Sequence, residues 1–278
     1  FCCIKQKILN AYKHFLKILI VNIYEGLIHW FDIKSYRILF KNRASAGQIL
    51  GRNLEVLLSD EISCNKNPLT KDSLLVIGIA NGGLVVANEV ARILKCDLDI
   101  IAPIRILSRD EIEHTIGAIL YVKYPTNLVN LIRDEIGNTY YVILKKGNNL
   151  SLNGLHKIDL LNKAFEKSKK YSEYKSKSIT NKIVILVDDG TFSGATAFVS
   201  LTWIAAQRPR CLIFATPVAS LEVAESIARN KEISVSHMEM LKKASFSQNK
   251  SIGSYYESFE HVDDTLVKQI MDGHTVDT

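Results

Sequence analysis

Cysteine is scarce in this chain, and nothing in its placement builds a site. The five cysteines, Cys2, Cys3, Cys64, Cys96 and Cys211, are an odd number among 278 residues and include no Cys-x-x-Cys pair. That argues against a zinc site and points to reduced thiols in a cytoplasmic protein. Long uncharged apolar runs are missing too. The nearest, residues 15–31, is broken by Lys17, Glu25 and His29 and falls short of the ~20 apolar residues that span a bilayer, so no transmembrane segment is expected. A secretory leader would need a small-residue cleavage site, which His29-Trp30-Phe31 does not offer. No internal repeat, low-complexity tract or Pro/Gly/Ser linker divides the chain, and no Gly-Lys-Ser/Thr phosphate loop occurs. Basic residues exceed acidic ones by a net charge of +6 but are scattered. Nucleic acid is therefore permitted as a partner without being favoured. The densest basic cluster, residues 163–182, reads as the solvated face of a helix.

What is present is enough apolar material for a full core, 47% of residues, which suits one α/β domain with additions. Residues 1–35 stand apart: Ile8, Tyr12, Phe15, Leu16, Leu19, Ile23 and Leu27 recur at helical spacing beside Lys5, Lys7, Lys13 and Lys17. They form a helical extension that would dock on the domain, cover an oligomer interface or lie on a membrane surface. From residue 36 to 278 the pattern alternates. A helix is expected over 46–58, a buried strand over 74–79, a helix over 84–94 and a strand over 98–104. That βαβ unit favours a parallel sheet with a right-handed crossover. Residues 116–122 and 140–144 suggest a hairpin, 156–174 a long helix, 211–216 a strand ending before Pro217, and 220–229 a helix.

The most specific stretch is residues 182–196. Ile183 to Val187 are apolar without alternation, as in a strand covered on both faces. The strand empties into Asp188-Asp189-Gly190-Thr191-Phe192-Ser193-Gly194-Ala195-Thr196, and helical spacing follows. A helix N-terminus offers free N–H groups and a positive dipole end to a phosphate, and Thr191, Ser193 and Thr196 add hydroxyl donors. Ionised carboxylates only accept hydrogen bonds, so Asp188 and Asp189 suit ribose hydroxyls better than phosphate. The loop reads as a ribose 5-phosphate cradle. A dinucleotide fingerprint does not fit, because the carboxylates precede the loop. The strand over 74–79 likewise ends in a glycine turn, Asn81-Gly82-Gly83, able to bring backbone N–H groups close to an anion. If the two strands are neighbours, the loops face each other across a crevice at the sheet's carboxyl edge.

The Asp188-to-Thr196 stretch resembles the 5-phosphoribosyl-1-pyrophosphate (PRPP) signature of the type I phosphoribosyltransferases. The resemblance extends over nearly all of residues 36–272 to a little-characterised branch of predicted phosphoribosyltransferases. Phe40-Lys-Asn-Arg43-Ala-Ser-Ala-Gly47 is similar to the branch's opening block, residues 82–91 to its pyrophosphate loop and helix, and Thr216-Pro-Val-Ala-Ser220 and residues 253–259 to its late landmarks. It departs at two cationic positions. Relatives carry Arg before Gly-Gly, where Asn81 stands here, and an Arg-Lys pair where Arg105-Ile106 stands.

The resemblance implies a single doubly wound, mainly parallel sheet with a variable hood, and a homodimer. It implies transfer of a phosphoribosyl group from PRPP to a nucleobase or related small nitrogen acceptor, with release of pyrophosphate. In that scheme Asp188, Asp189 and Arg105 serve the chemistry. Asn81, Gly82, Gly83, Gly190, Thr191, Phe192, Ser193, Gly194, Ala195 and Thr196 bind substrate. Mg²⁺ is the cofactor, held mainly by PRPP oxygens and water rather than by the protein. Phe192, Tyr255 or Tyr256 would stack on a base, although the tyrosines also suit core packing. His114 reads as an acid or as a solvated side chain. The two departures leave open a non-catalytic PRPP or nucleotide sensor, and the same anchors would serve a hydrolase or phosphorylase of a phosphoribosyl compound.

Overall fold

The computed structural model describes residues 39–276 apart from 65–70, 108–114, 123–130, 135–137, 145–153, 172–173, 175–176, 232 and 245–250. The helical extension expected over 1–35 lies outside the described residues, as do Arg109 and His114. The main sheet is built from β1 (Leu74–Ile79), β2 (Asp97–Ile101), β7 (Ile183–Val187), β8 (Cys211–Ser220) and β9 (His237–Ala244). These strands run parallel in the order β2-β1-β7-β8-β9. Their apolar side chains alternate between two cores. Leu74, Val76, Ile185, Val187, Ile213 and Ala215 face one side, with α1 (Arg43–Cys64), α2 (Gly82–Leu94) and α6 (Asp264–Val276) packed over them. Leu75, Ile77, Val184, Leu186, Leu212 and Phe214 face the other, under α4 (Ala195–Ala205) and α5 (Leu221–Arg229). Burial of both faces is the reason β1, β7 and β8 carry no polar alternation. Among the described residues no helix is long and apolar enough to cross a membrane.

The predicted strand over 98–104 is split. β2 stops at Ile101, and after Ala102-Pro103 a new strand, β3 (Ile104–Leu107), leaves for a second sheet. Pro103 has no N–H to give a ladder, so it marks the break. That second sheet is antiparallel and adds β4 (Thr115–Val122), β5 (Leu131–Arg133) and β6 (Thr139–Leu144), in the order β3-β4-β6-β5. The expected pairing of 116–122 with 140–144 is present, antiparallel from Gly117↔Leu144 to Val122↔Thr139, but it is not a hairpin, because β5 lies between the two strands in the chain and pairs with the other edge of β6. Helix α3 (Gly154–Lys170) packs on it through Leu161 and Ala164 against Ile106, Ile119, Tyr140 and Val142.

A second correction concerns Pro217, which does not end its strand. β8 continues to Ser220 because the β7 ladder has already finished at Val187↔Ala215. The pairing with β9 is carried by Thr216 and Val218 on either side of the proline.

Candidate functional site

Strands β1 and β7 are hydrogen-bonded neighbours, with Gly78 opposite Val187. Their carboxyl ends therefore deliver the Asn81-Gly82-Gly83 turn and the Asp188-Asp189 pair side by side. The two loops touch. A Cβ on Gly83 would lie 2.9 Å from the Val187 carbonyl oxygen and 3.0 Å from Asp188 Cα, and one on Gly82 would overlap Asp189 Oδ2 and Arg43 Nε. Glycine is thus required at 82 and 83 by the acidic loop itself, a reason that the sequence alone does not supply.

Beyond the carboxylates the loop is laced to β8. The Thr191 N–H donates to the Val218 carbonyl at 2.9 Å and the Ser220 N–H to the Thr191 carbonyl at 2.9 Å, while the Ser220 hydroxyl donates to the Phe192 carbonyl at 3.3 Å. Thr191 is consequently buried, while Ser193 and Thr196 are half-buried; Thr196 lines the cavity that Asn81 and Gly82 border, and Ser193 a second pocket with Phe192, Phe198 and Ile143. Gly194 sits before α4 with φ of 73°, a left-handed geometry that favours glycine. No side chain caps α4, so the N–H groups of its first turn have no side-chain acceptor at Gly194. Ala195 is buried in the second core. Gly190 packs on Ile252, and Phe192 meets Tyr255 edge-on at 6.0 Å.

Asp189 is held by residues far away in sequence. Residues 39–41 and 255–258 are zipped together by backbone bonds, among them Glu257 N–H to the Phe40 carbonyl at 2.8 Å. Asn42 caps α1, its Oδ1 accepting from the Ser45 N–H at 2.9 Å while Ser45 Oγ accepts from the Asn42 N–H at 3.0 Å. Arg43 therefore projects from the first turn of α1. Its Nε donates to Asp189 Oδ2 at 2.7 Å and a terminal nitrogen to the Glu260 carbonyl at 2.7 Å, and its guanidinium lies 3.6 Å over the Phe259 ring. With the two side chains only 11% and 15% exposed, this ion pair is largely shielded from water. The Tyr256 hydroxyl donates to the Asp189 carbonyl at 2.6 Å. Tyr256 packs between Phe40 and Phe259, which settles it as a core residue with a polar tip.

Asp188 is buried, and its Oδ1 accepts the Asp189 N–H at 3.0 Å. Burial pushes its carboxyl well above the usual carboxylate range, the neighbouring Asp189 charge adds to that, and Arg105 opposes it. A carboxyl raised in the folded state contributes stability that is full at low pH and lost as pH rises through its folded titration. Asp188→Asn, neutral at every pH, should therefore raise the thermal midpoint of the ligand-free protein by a few degrees, on the order of 1 kcal/mol. The gain should grow as pH rises through that titration and disappear in acid. Melting curves of both proteins across pH check this.

Arg105 and Ile106 point opposite ways from β3. Arg105 is exposed and lines a cavity of about 1290 Å³ together with Arg43, Asn81, Gly82, Lys167, Lys170 and Thr196. Ile106 is buried beneath α3. Asn81 serves the scaffold as well as the cavity wall: its Nδ2 donates to the Val262 carbonyl at 3.0 Å. Beside it, Asp264 at the start of α6 takes the Tyr171 hydroxyl and the Lys170 ammonium. Those two partners hold the Asp264 carboxyl below its usual range. Sequence reasoning missed Arg43, Lys167, Asp264 and Phe259 as site residues. For Lys167 there was a signal, since it follows Leu160 by seven positions and Ala164 by three and so shares their helix face. Among the described residues no cluster of three or more His, Cys, Asp or Glu side chains could hold a metal ion.

The chain is similar in structure to the protein TT1426 from Thermus thermophilus, at 26% identity over 84% of this chain and 97% of that one, with a TM-score of 0.55. It is also similar to a hypoxanthine phosphoribosyltransferase from Staphylococcus aureus, 13% identical over 78% and 81% of the two chains, TM-score 0.37. A third likeness is to a purine phosphoribosyltransferase from Pyrococcus horikoshii, 15% identical over 69% and 82%, TM-score 0.31. No curated protein matches the chain significantly. Residues 52–249 match the family model described as phosphoribosyl transferase domain. That span takes in both facing loops and all five strands of the main sheet, and on it the chain belongs to the phosphoribosyltransferase domain family.

Proposed function

We propose that the protein transfers a phosphoribosyl group from PRPP to a nitrogen acceptor, a nucleobase or related small molecule, and releases pyrophosphate. The observation that supports this most is the contact of the Gly82-Gly83 turn with the Asp188-Asp189 loop on adjacent parallel strands. One turn would receive the pyrophosphate end and the other the ribose 5-phosphate. Ser193, Thr196 and the N–H groups opening α4 anchor the 5-phosphate, whose remote binding energy orients the reacting carbon. Arg43 fixes one oxygen of Asp189, which leaves the other to accept a ribose hydroxyl. Asp188 sits where positive charge grows as the C1–O bond loosens. Arg105 faces the departing pyrophosphate, where donors fixed in advance are most effective. Mg²⁺, when bound with the ligand, supplies charge neutralisation of the pyrophosphate.

The test is product analysis: full-length protein, PRPP and Mg²⁺ with a panel of nucleobases and amines, followed by chromatography and a pyrophosphate assay. The expected result is a nucleotide and pyrophosphate in equal amounts with one acceptor class. Pyrophosphate with ribose 5-phosphate in every case would indicate hydrolysis instead. Unchanged PRPP throughout would count against the transferase reading.

A further inference from the structure

The cavity is rich in positive charge, with Arg43, Arg105, Lys167, Lys169 and Lys170 in its wall. Ile106 is buried, 3% exposed, and its apolar side chain is part of the surface on which α3 seats Leu161 and Ala164. One helical turn beyond Ala164, that seating carries Lys167 over the crevice. Its ammonium donates to the carbonyl of Ala80, the residue before the Asn81-Gly82-Gly83 turn, at 3.4 Å, and to the carbonyl of Pro103, at the break between β2 and β3, at 3.3 Å. Both bonds are long, and among the described residues Lys167 has no carboxylate within ion-pair distance. Burial holds its ammonium below the usual lysine range, Asp264 and Asp188 oppose that through space while Arg105 adds to it, and Asp264 is already taken by Lys170 and Tyr171. Here a half-buried lysine is met by two neutral carbonyls and lines the same cavity as Arg105. It retains donors for an anion.

We propose that Lys167, delivered by α3, is a second cation, beside Arg105, that grips the pyrophosphate end of the ligand. This rests on the phosphoribosyl reading given above. The bond from ribose C1 to the pyrophosphate oxygen breaks with its electron pair leaving on pyrophosphate. Lys167 stays protonated, and its hydrogen bonds strengthen as that charge develops. A lysine can serve here as a point charge, with no planar fork required.

The experiment is calorimetric titration of the full-length protein with inorganic pyrophosphate and, separately, with ribose 5-phosphate. The proteins compared are the wild type, Lys167→Met, Lys167→Gln and Lys167→Arg. The expected result is a loss of at least tenfold in pyrophosphate affinity in the two neutral variants, ribose 5-phosphate affinity within about twofold of wild type, and recovery of pyrophosphate binding in Lys167→Arg. Pyrophosphate affinity unchanged in both neutral variants would overturn the proposal and leave the phosphoribosyl reading intact. Equal weakening of both ligands would overturn it as well, since it would give Lys167 a purely structural part. A wild-type protein that binds neither ligand would refute the phosphoribosyl reading itself, and the proposal with it.

Discussion

Arg43→Ala is expected to weaken PRPP binding at least tenfold, about 1.4 kcal/mol or more, and to destabilise the fold by roughly 2–4 kcal/mol. Arg43 is used on three sides at once: Nε to the Asp189 carboxylate, a terminal nitrogen to the Glu260 carbonyl, and the flat face on Phe259. Removing it strands a shielded carboxylate and unties the C-terminal segment from the site in a single step. Lysine is a point charge without a fork or a plane, and it cannot meet three partners set at those angles. Arg43→Lys should therefore stay within about threefold of Arg43→Ala in affinity. Titration and urea unfolding of both variants check this. Full recovery by lysine would show that charge alone, and not the orientation of Asp189, is what Arg43 provides.

Gly83→Ala should have an effect of similar size by a different route. A Cβ there would press on the Val187 carbonyl and on Asp188 Cα. Both belong to backbone, so the loops must part or the strand must shift. Overpacking of this kind costs about 1–3 kcal/mol, and since it separates the two halves of the site, ligand affinity should fall at least tenfold. Gly273→Ala is the matched control. It lies in α6, nothing stands within 4 Å of the added methyl, and alanine is the better helix former by about 0.5–1 kcal/mol. It should leave binding alone and raise stability slightly.

The parallel strands with the site loops were legible in the sequence for a physical reason. A strand buried on both faces is an uninterrupted apolar run, and β1 and β7 begin and end within one residue of the spans read from that pattern. The acidic loop was legible because two carboxylates, hydroxyls and glycines in that order have few structural uses. β9 was missed: His237, Glu239, Lys242 and Lys243 give it the look of a loop, and its residues are mostly only half-buried. Pairing of residues 39–41 with 255–258 joins segments more than two hundred positions apart, and no local pattern records it. Lys167 was hidden in a lysine-rich helix. Its neighbours Lys163 and Lys170 are 63% and 44% exposed, so the reading as a solvated helix face holds for them; it fails for Lys167 and for Lys182, which lies beyond the helix, is 18% exposed and pairs with Asp97. The role of Asn81 was equally invisible, since its partner Val262 lies at the other end of the domain.

The central claim, that the two facing loops form one phosphoribosyl site, is tested most directly by calorimetric titration of the full-length protein with PRPP. The titration is run with and without Mg²⁺, beside an Asp188→Asn/Asp189→Asn double variant whose folding is confirmed by its melting curve. The account predicts micromolar, Mg²⁺-dependent binding to the wild type and its loss in the folded double variant. A folded wild type that binds no PRPP, or a double variant that binds it equally well, would contradict it.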